Sequence, residues 1–287
     1  MAFQPNILKN KNPLDALYAS NGFKSKNKNK NHMKTEGGIE HLVKMFPNEG
    51  TLIQAGRNTI KKLDHNERSI SVKSFKKPNL INSFAYKYIR KSKAERSYIN
   101  AQKLLSLGIL TPKPIGYLEH SNIFGIKASY YACEHLTTTT TLRALLSHDS
   151  CTNTNVVLEQ YTAFMFELHQ KGIEFIDSTP GNILLEEIAD GQYRFYLIDI
   201  NRMKFHSEPL SFFDRMKNLS KLSSETPLLH KIEEIYAKYY KQDTEYIYQT
   251  ILYYRSRYNI RIFHKKFFKY QLSEFKKLIG KPHLCQK

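Results

Sequence analysis

Residues 175–185 of this chain read FIDSTPGNILL, and residues 196–199 read YLID. Asp177 and Asn182 stand five positions apart in the first segment, and Asp199 ends the second. In phosphoryl transfer, one carboxylate receives the proton of the attacking hydroxyl. An amide five residues later and a second carboxylate hold the Mg²⁺ that bridges the nucleotide phosphates. The spacing therefore predicts a phosphotransferase site.

The residues between these groups predict a β-hairpin. Residues 182–185 form a short apolar run, Asp190-Gly191 is a tight-turn signal, and residues 193–198 form a second strand. A hairpin folded here would return Asp199 to the side of Asn182. The alternative interpretation is a surface loop with chance polar residues, because such short patterns recur by accident.

Upstream, residues 69–75 read SISVKSF and alternate as a strand. Lys73 and Phe75 share one face of this strand, and Ile70 and Val72 share the other. In kinases a strand lysine contacts the α- and β-phosphates of the nucleotide. Lys73 is thus a candidate phosphate contact. Because the chain contains many lysines, the alternative interpretation is that Lys73 is an ordinary surface charge.

A predicted helix follows and ends before Gly108. It carries Glu95, which lies 22 residues after Lys73. One predicted stripe of this helix contains Glu95, Tyr98, Gln102 and Leu105. A helix carboxylate orients the strand lysine in kinases, and Glu95 is the candidate for this role. Taken alone, Glu95 is also explained as an exposed helix charge. Five polar residues in the order expected of a kinase are harder to obtain by accident than any one of them. They are Lys73, Glu95, Asp177, Asn182 and Asp199.

The loop that would cover the phosphates is the weakest part of the pattern. Residues 50–58 read GTLIQAGRN and contain no G-x-G-x-x-G motif. Gly56 is the predicted turn between the first two strands, and Gly56 and Asn58 are the candidate nucleotide contacts. A simple hairpin turn explains both residues nearly as well.

Two departures from the kinase pattern concern substrate and turnover. Asp199 is followed by Ile200-Asn201-Arg202 instead of Phe-Gly, and no long activation segment or Ala-Pro-Glu anchor appears. The platform that docks peptide substrates is therefore not predicted. Phe175 occupies the position of the usual histidine, two residues before Asp177. We interpret Phe175 as a variation, because apolar packing can also hold this loop.

The composition is that of a globular chain with a strong basic excess. Of 287 residues, 41% are hydrophobic, while 44 Lys and Arg against 26 Asp and Glu give a net charge of +18. This excess indicates an anionic partner: nucleic acid, an anionic membrane surface or a polyanionic substrate. No run of apolar residues is long enough for a spanning helix, and no signal-peptide core is present at the N-terminus.

The predicted fold class is α+β, with three regions along the chain. Residues 1–38 are expected to be a disordered basic extension rich in Lys and Asn, with Met33 as an alternative start. Residues 39–135 predict a β-rich lobe with one helix. Residues 136–287 predict a mainly helical lobe, with two or three amphipathic helices after Ser211.

Six segments together resemble the bacterial lipopolysaccharide core kinases of the Kdo/WaaP family: residues 57–61, 71–76, 90–98, 111–115, 177–184 and 198–203. The resemblance covers roughly Gly50 to Phe205. It implies a bilobal protein-kinase-like fold and an ATP- and Mg²⁺-dependent kinase that phosphorylates Kdo or heptose in the lipopolysaccharide inner core. The site roles that it implies are Asp177 as catalytic base, Lys73 and Glu95 as the phosphate-orienting pair, and Asn182 and Asp199 as Mg²⁺ ligands.

By the same resemblance the substrate is a lipid-linked core oligosaccharide and the enzyme is cytoplasmic, with a peripheral position on the inner membrane as a candidate. No nucleic acid partner is expected, and the oligomeric state stays open. Two alternatives remain: a RIO-like or small-molecule phosphotransferase, and a nucleotide-binding pseudokinase or basic scaffold. The intact set of Lys73, Asp177, Asn182 and Asp199 argues against a silent site.

Overall fold

The computed structural model describes residues 38–77, 90–122, 125–146, 154–222 and 226–279. Apart from Gly38, the predicted basic extension and the alternative start at Met33 lie outside these ranges. The predicted boundary between residues 135 and 136 stays a prediction.

Seven helices and ten strands are present in the described ranges. The helices are α1 (Ile39–Met45), α2 (Lys93–Ser106), α3 (Leu142–Leu146), α4 (Thr154–Gln170), α5 (Phe212–Leu219), α6 (Thr226–Tyr240) and α7 (Thr244–Ile279). The strands are β1 (Thr51–Gln54), β2 (Thr59–His65), β3 (Arg68–Phe75), β4 (Pro114–Asn122), β5 (Gly125–Glu134), β6 (Thr140–Thr141), β7 (Ile173–Glu174), β8 (Ile183–Ala189), β9 (Gln192–Leu197) and β10 (Lys204–Phe205). Single 3₁₀ turns occupy Pro180–Asn182 and Ile200–Arg202.

The first five strands form one antiparallel sheet in the order β1-β2-β3-β5-β4. Its two faces are filled by different clusters, as the alternation in β3 predicts. Ile70 and Val72 pack with α1 on one face, whereas Phe75 packs with Ala94 of α2 on the other. The helices on both faces bury the strand that carries Lys73.

Helix α1 corrects the prediction of a single helix in this region. Ile39, Leu42, Val43 and Phe46 are all buried against the sheet. They recur at spacings of three and four residues, which is the period of an amphipathic helix. The pattern spans only two turns, so it is short and easily missed in a sequence.

Helix α2 begins at a capping serine and ends before a left-handed glycine. The Ser92 hydroxyl accepts a hydrogen bond from the Glu95 amide at 3.1 Å, and Gly108 has φ +74°. The buried residues of the helix are Ala94, Ser97, Ala101 and Leu104. This face is offset by one residue from the predicted stripe. Three of its four side chains are small, which allows the helix to approach the sheet closely.

The rest of the chain packs around α4 and a second small sheet. Tyr161, Met165 and Leu168 of α4 are fully buried in the main core. Strands β8 and β9 form the predicted hairpin, with Gly191 at φ +66° in its turn. The structure confirms three helices after Ser211, which itself caps α5.

A buried cation joins three of these helices. The Arg215 side chain of α5 is only 2% exposed. Its Nε donates to the Leu210 carbonyl at 2.7 Å and its Nη1 to the Tyr236 hydroxyl at 3.2 Å. His169 of α4 lies 2.7 Å from the same hydroxyl through Nδ1. Burial and the Arg215 charge lower the pKa of His169 to about 3.

None of the helices in the described ranges combines the length and the apolarity needed to cross a membrane.

The depressed pKa of His169 predicts acid sensitivity of the fold. Below pH 6.5 the histidine is protonated in the unfolded chain but stays neutral in the folded chain until the pH approaches 3. Its contribution to the free energy of unfolding is therefore complete above pH 6.5 and is lost as the pH falls towards 3. Between pH 7 and pH 5 this group alone should lower the free energy of unfolding by about 2 kcal/mol.

Urea unfolding at both pH values, for the wild type and for His169→Gln, measures this contribution. Other groups titrate equally in both proteins, so the wild type should lose about 2 kcal/mol more than the variant between the two pH values. The same pH dependence in the two proteins would contradict the assignment.

Candidate active site

The loop that carries Asp177 is held in place by a buried aromatic side chain that precedes it. Phe175 is 1% exposed and lies in the main core. Its carbonyl accepts a hydrogen bond from the Ser178 amide at 3.2 Å. The buried Ser178 hydroxyl donates to the Asn218 carbonyl at 2.8 Å, which ties the loop to α5. Packing therefore holds this loop without the histidine that usually stands at position 175.

Asn182 closes the loop through its own side chain. The Nδ2 group donates to the Asp177 carbonyl at 2.9 Å. Since an amide has one oxygen and one nitrogen, this bond leaves the Asn182 Oδ1 atom for a cation. The Ile198 amide donates to the Asn182 carbonyl at 3.0 Å. The hairpin thus returns the chain beside Asn182, as the sequence predicts.

Asp199 follows β9 in a left-handed conformation, with φ 54° and ψ 42°. Such a backbone is uncommon for a non-glycine residue and is held here by specific contacts. The Oδ1 atom accepts from Lys73 Nζ at 2.6 Å and from Asn201 Nδ2 at 2.8 Å. Helix α2 supports the next residue, because Asn100 Nδ2 donates to the Ile200 carbonyl at 2.7 Å.

Lys73 pairs with Asp199 in this structure and not with Glu95. Among the described side chains, no ion pair within 4.0 Å joins Lys73 to Glu95. Glu95 acts instead on the neighbouring strand β4, where burial and then the Glu95 charge raise the pKa of Tyr117. The role of Glu95 as the partner of Lys73 stays a prediction.

Gly56 and Asn58 lie at the turn between β1 and β2. Open space surrounds the position where a side chain on Gly56 would begin. The Asn58 Oδ1 atom accepts from the Lys76 amide at 3.2 Å, which joins this turn to the end of β3. Asn58 therefore has a structural bond of its own, and the nucleotide contacts of both residues stay predictions.

Three cations that the sequence analysis did not assign border the loop of residues 176–181. Lys221 Nζ donates to the Ile176 carbonyl. Arg202 Nη1 donates to Asp177 Oδ1 at 3.0 Å. The Arg143 guanidinium packs over Gly181, with Cζ 3.2 Å from the position of an added Cβ. Arg202 lies three residues after Asp199, but Arg143 and Lys221 come from distant parts of the chain, so no motif spacing could reveal those two.

Lys221 is the partly buried cation of this border, whereas Arg143 and Arg202 are exposed. Burial lowers the pKa of Lys221, while the charges of Asp177 and Glu174 oppose that change. Glu174 is itself buried and accepts from Lys204 Nζ at 2.9 Å. The carboxylates of Asp177 and Glu174 are thus embedded among cations, an arrangement that suits anionic ligands.

The side chains near the hairpin fit a hard cation. Asp199 offers a carboxylate and Asn182 an amide oxygen, both of the ligand class that Mg²⁺ prefers. Within the described ranges, no group of three or more His, Cys, Asp and Glu side chains is arranged to hold a metal by itself. Mg²⁺ commonly takes only one or two protein carboxylates and completes its shell with phosphates and water.

Comparison with known proteins gives one family and one fold. The sequence model of the Lipopolysaccharide kinase (Kdo/WaaP) family matches residues 57–258, which is more than half of the chain. A solved structure described as "WaaP in complex with acyl carrier protein" matches with a TM-score of 0.53 and 14% identity, covering 76% of this chain and 91% of that chain. No curated protein matches the sequence. At this identity the solved structure shows the fold alone, and it confirms the predicted α+β, kinase-like architecture.

The anchoring role of Phe175 predicts that restoring a histidine there would weaken the fold. Phe175→His places a polar ring in an apolar core, which should lower the free energy of unfolding by at least about 1 kcal/mol. Urea unfolding at pH 8 keeps the new imidazole neutral and avoids a charge effect.

Phe213→His is the matched control, since the Phe213 side chain is 54% exposed. That variant should unfold within about 0.5 kcal/mol of the wild type. Equal losses in the two variants would show that Phe175 does not anchor the loop.

Proposed function

The chain belongs to the lipopolysaccharide kinase (Kdo/WaaP) family, and we propose that it transfers the γ-phosphate of ATP to a sugar hydroxyl, on Kdo or heptose, of the lipopolysaccharide inner core. One observation carries this proposal. The hairpin and the sheet bring Asp177, Asn182, Asp199 and Lys73 to one place, joined by the Lys73–Asp199 contact at 2.6 Å. This is the set of groups that phosphoryl transfer requires.

In this proposal Asp177 is the catalytic base. Its Oδ1 atom is engaged by Arg202 at 3.0 Å, and the other carboxylate oxygen receives the proton of the acceptor hydroxyl. The apolar anchor at Phe175 and the buried Ser178 bond hold the loop rigidly. Rigid placement matters because a base must stand within hydrogen-bond distance of the hydroxyl that it deprotonates.

Lys73, Asn182 and Asp199 form the nucleotide side of the site. Asn182 and Asp199 would hold Mg²⁺, which when bound neutralises charge on the phosphates. Lys73 would bind the α- and β-phosphates of ATP, with Glu95 as its proposed orienting partner. Support comes from the position of Lys73 Nζ, because it lies 2.6 Å from Oδ1 of Asp199, a proposed Mg²⁺ ligand.

The proposed acceptor is an anionic, lipid-linked core oligosaccharide at the cytoplasmic face of the inner membrane. Three cations, Arg143, Arg202 and Lys221, border the Asp177 loop. They offer more positive charge than the nucleotide contacts alone would use. Carboxylates and phosphates on an inner-core sugar would match this border.

Separate roles for the two aspartates predict separate defects. Asp177→Asn should bind ATP normally and lower kcat by a factor on the order of 10² or more, because it removes the base. Asp199→Ala should lose Mg²⁺-dependent nucleotide binding, because it removes a ligand. Calorimetric ATP binding and phosphate transfer to purified lipopolysaccharide precursor measure the two effects.

Asp190→Asn, at the exposed hairpin turn, is the matched control and should resemble the wild type. Normal turnover by Asp177→Asn would exclude Asp177 as the base. Equal transfer to a free sugar without its lipid would favour the small-molecule phosphotransferase, and ATP binding without any transfer by the wild type would favour the pseudokinase.

The cationic border predicts a defect on the acceptor side of the reaction. Arg143→Gln should raise the KM for the lipopolysaccharide precursor roughly tenfold, as expected for one charge-assisted contact. The KM for ATP should stay within about twofold. Steady-state kinetics with each substrate varied in turn separate these values.

Arg68→Gln is the matched control for Arg143→Gln, because Arg68 is exposed at the far turn of β3. It should leave both KM values unchanged. An equal rise in both KM values for Arg143→Gln would show that Arg143 stabilises the loop and does not bind the acceptor.

A further inference from the structure

The second half of α7 is exposed, although it is rich in large apolar side chains. The first half packs in the core: Ile247 and Ile251 are fully buried, and Tyr246 stacks on Phe212 with ring centroids 5.0 Å apart. We call residues 253–275 the distal segment. Eight of its large apolar side chains are 48–70% exposed: Tyr253, Ile260, Phe263, Phe267, Phe268, Tyr270, Leu272 and Phe275.

Helical spacing gathers most of these side chains on one side. We define the aromatic face as Tyr253, Ile260, Phe263, Phe267 and Tyr270, which follow one another at steps of seven, three, four and three residues. The opposite side carries the cation face, defined as Arg261, Lys265, Lys266 and Lys269. At 1.5 Å per residue, the distal segment presents this pattern over roughly 33 Å.

An exposed apolar surface of this length requires an occupant. Soluble proteins rarely expose contiguous apolar patches of more than a few hundred Å², and larger ones mark interaction sites. Burial in the core does not account for it, because the first half of α7 already supplies the side chains that pack against α5 and α6.

The charge of the distal segment selects between occupants. Six Lys and Arg stand against one acidic residue, Glu274, between Tyr253 and Phe275. The heptad-like spacing of the aromatic face would also suit pairing with a second copy. That pairing would bring together two helices that each carry six cations and a single carboxylate in this segment, which is unfavourable. An anionic lipid surface would bury the aromatic face and also supply negative charges for the cation face.

We propose that the distal segment is an interfacial helix that binds the protein to an anionic lipid bilayer. Amphipathic helices with aromatic and basic residues lie in the plane of the interface and bury their apolar face in the headgroup region. Aromatic rings favour that depth. The cation face lies at the level of the lipid phosphates, where each Lys or Arg strengthens binding roughly fivefold. This inference is independent of the catalytic proposal.

Flotation of the full-length protein with vesicles tests the proposal, using phosphatidylcholine alone and phosphatidylcholine mixed with phosphatidylglycerol. The wild type should bind the anionic vesicles at low salt, and less at about 0.5 M salt, where charges are screened beyond a few ångströms. Substituting Gln at Arg261, Lys265, Lys266 and Lys269 should weaken binding roughly fivefold per charge. Substituting Ser at Phe263, Phe267 and Phe268 should abolish binding even at low salt.

The matched control changes four exposed lysines elsewhere, Lys44, Lys113, Lys127 and Lys238, to Gln. It removes the same net charge and should bind vesicles as the wild type does. All variants alter exposed side chains, and thermal melting should be unchanged. Phosphate transfer to a detergent-solubilised acceptor should also be unchanged, so a failure here is distinguishable from a failure of the catalytic proposal.

Three results would overturn the proposal. The first is that the wild type does not bind anionic vesicles. The second is that the control variant loses as much binding as the variant with Gln in the cation face. The third is a wild-type dimer in sedimentation that is absent from the Ser variant, while that variant still binds vesicles. The last result would assign the aromatic face to a second copy of the chain.

Discussion

The contact between Lys73 and Asp199 is the interaction on which the site depends. Lys73 stands on the central part of the five-stranded sheet and is 15% exposed, so its charge needs a partner. Asp199 stands at the end of the hairpin in a left-handed conformation. The bond between them joins the sheet to the end of the hairpin, and Asn182 links the hairpin to the loop that carries Asp177. The Lys73–Asp199 bond therefore couples the sheet, the hairpin and α2, whose Asn100 holds the residue after Asp199.

The parts of the site that sequence reasoning predicted are the local ones. The hairpin, its turn at Gly191 and the return of Asp199 beside Asn182 follow from turn chemistry and short alternating runs. The alternation in β3 also predicted which side chains meet each face. The cations at Arg143 and Lys221 could not be predicted, because only the tertiary fold brings them to the loop. The bond between Lys73 and Asp199 was not predicted, for the same reason.

The buried face of α2 was not predicted from the sequence, and the reason lies in packing. The predicted stripe of α2 contained its larger and more polar side chains, whereas the buried face is made of Ala94, Ser97 and Ala101 with Leu104. Hydrophobicity patterns give small residues little weight, yet these residues permit the close approach that lets Asn100 reach the Ile200 carbonyl. A bulkier face would move α2 outward and leave the segment after Asp199 without that bond.

Two groups of cations in the described part of the chain differ in their surroundings. Around Asp177, Arg202 is paired with the Asp177 carboxylate, and the partly buried Lys221 donates to the Ile176 carbonyl. On the distal segment of α7, the cations of the cation face are exposed and alternate with aromatic rings. The cations around Asp177 would act at short range on a bound ligand, whereas those of the distal segment would act on an extended surface, where salt screens them. A lipid-linked anionic acceptor would require both, because its sugar must enter the site while its lipid stays in the bilayer.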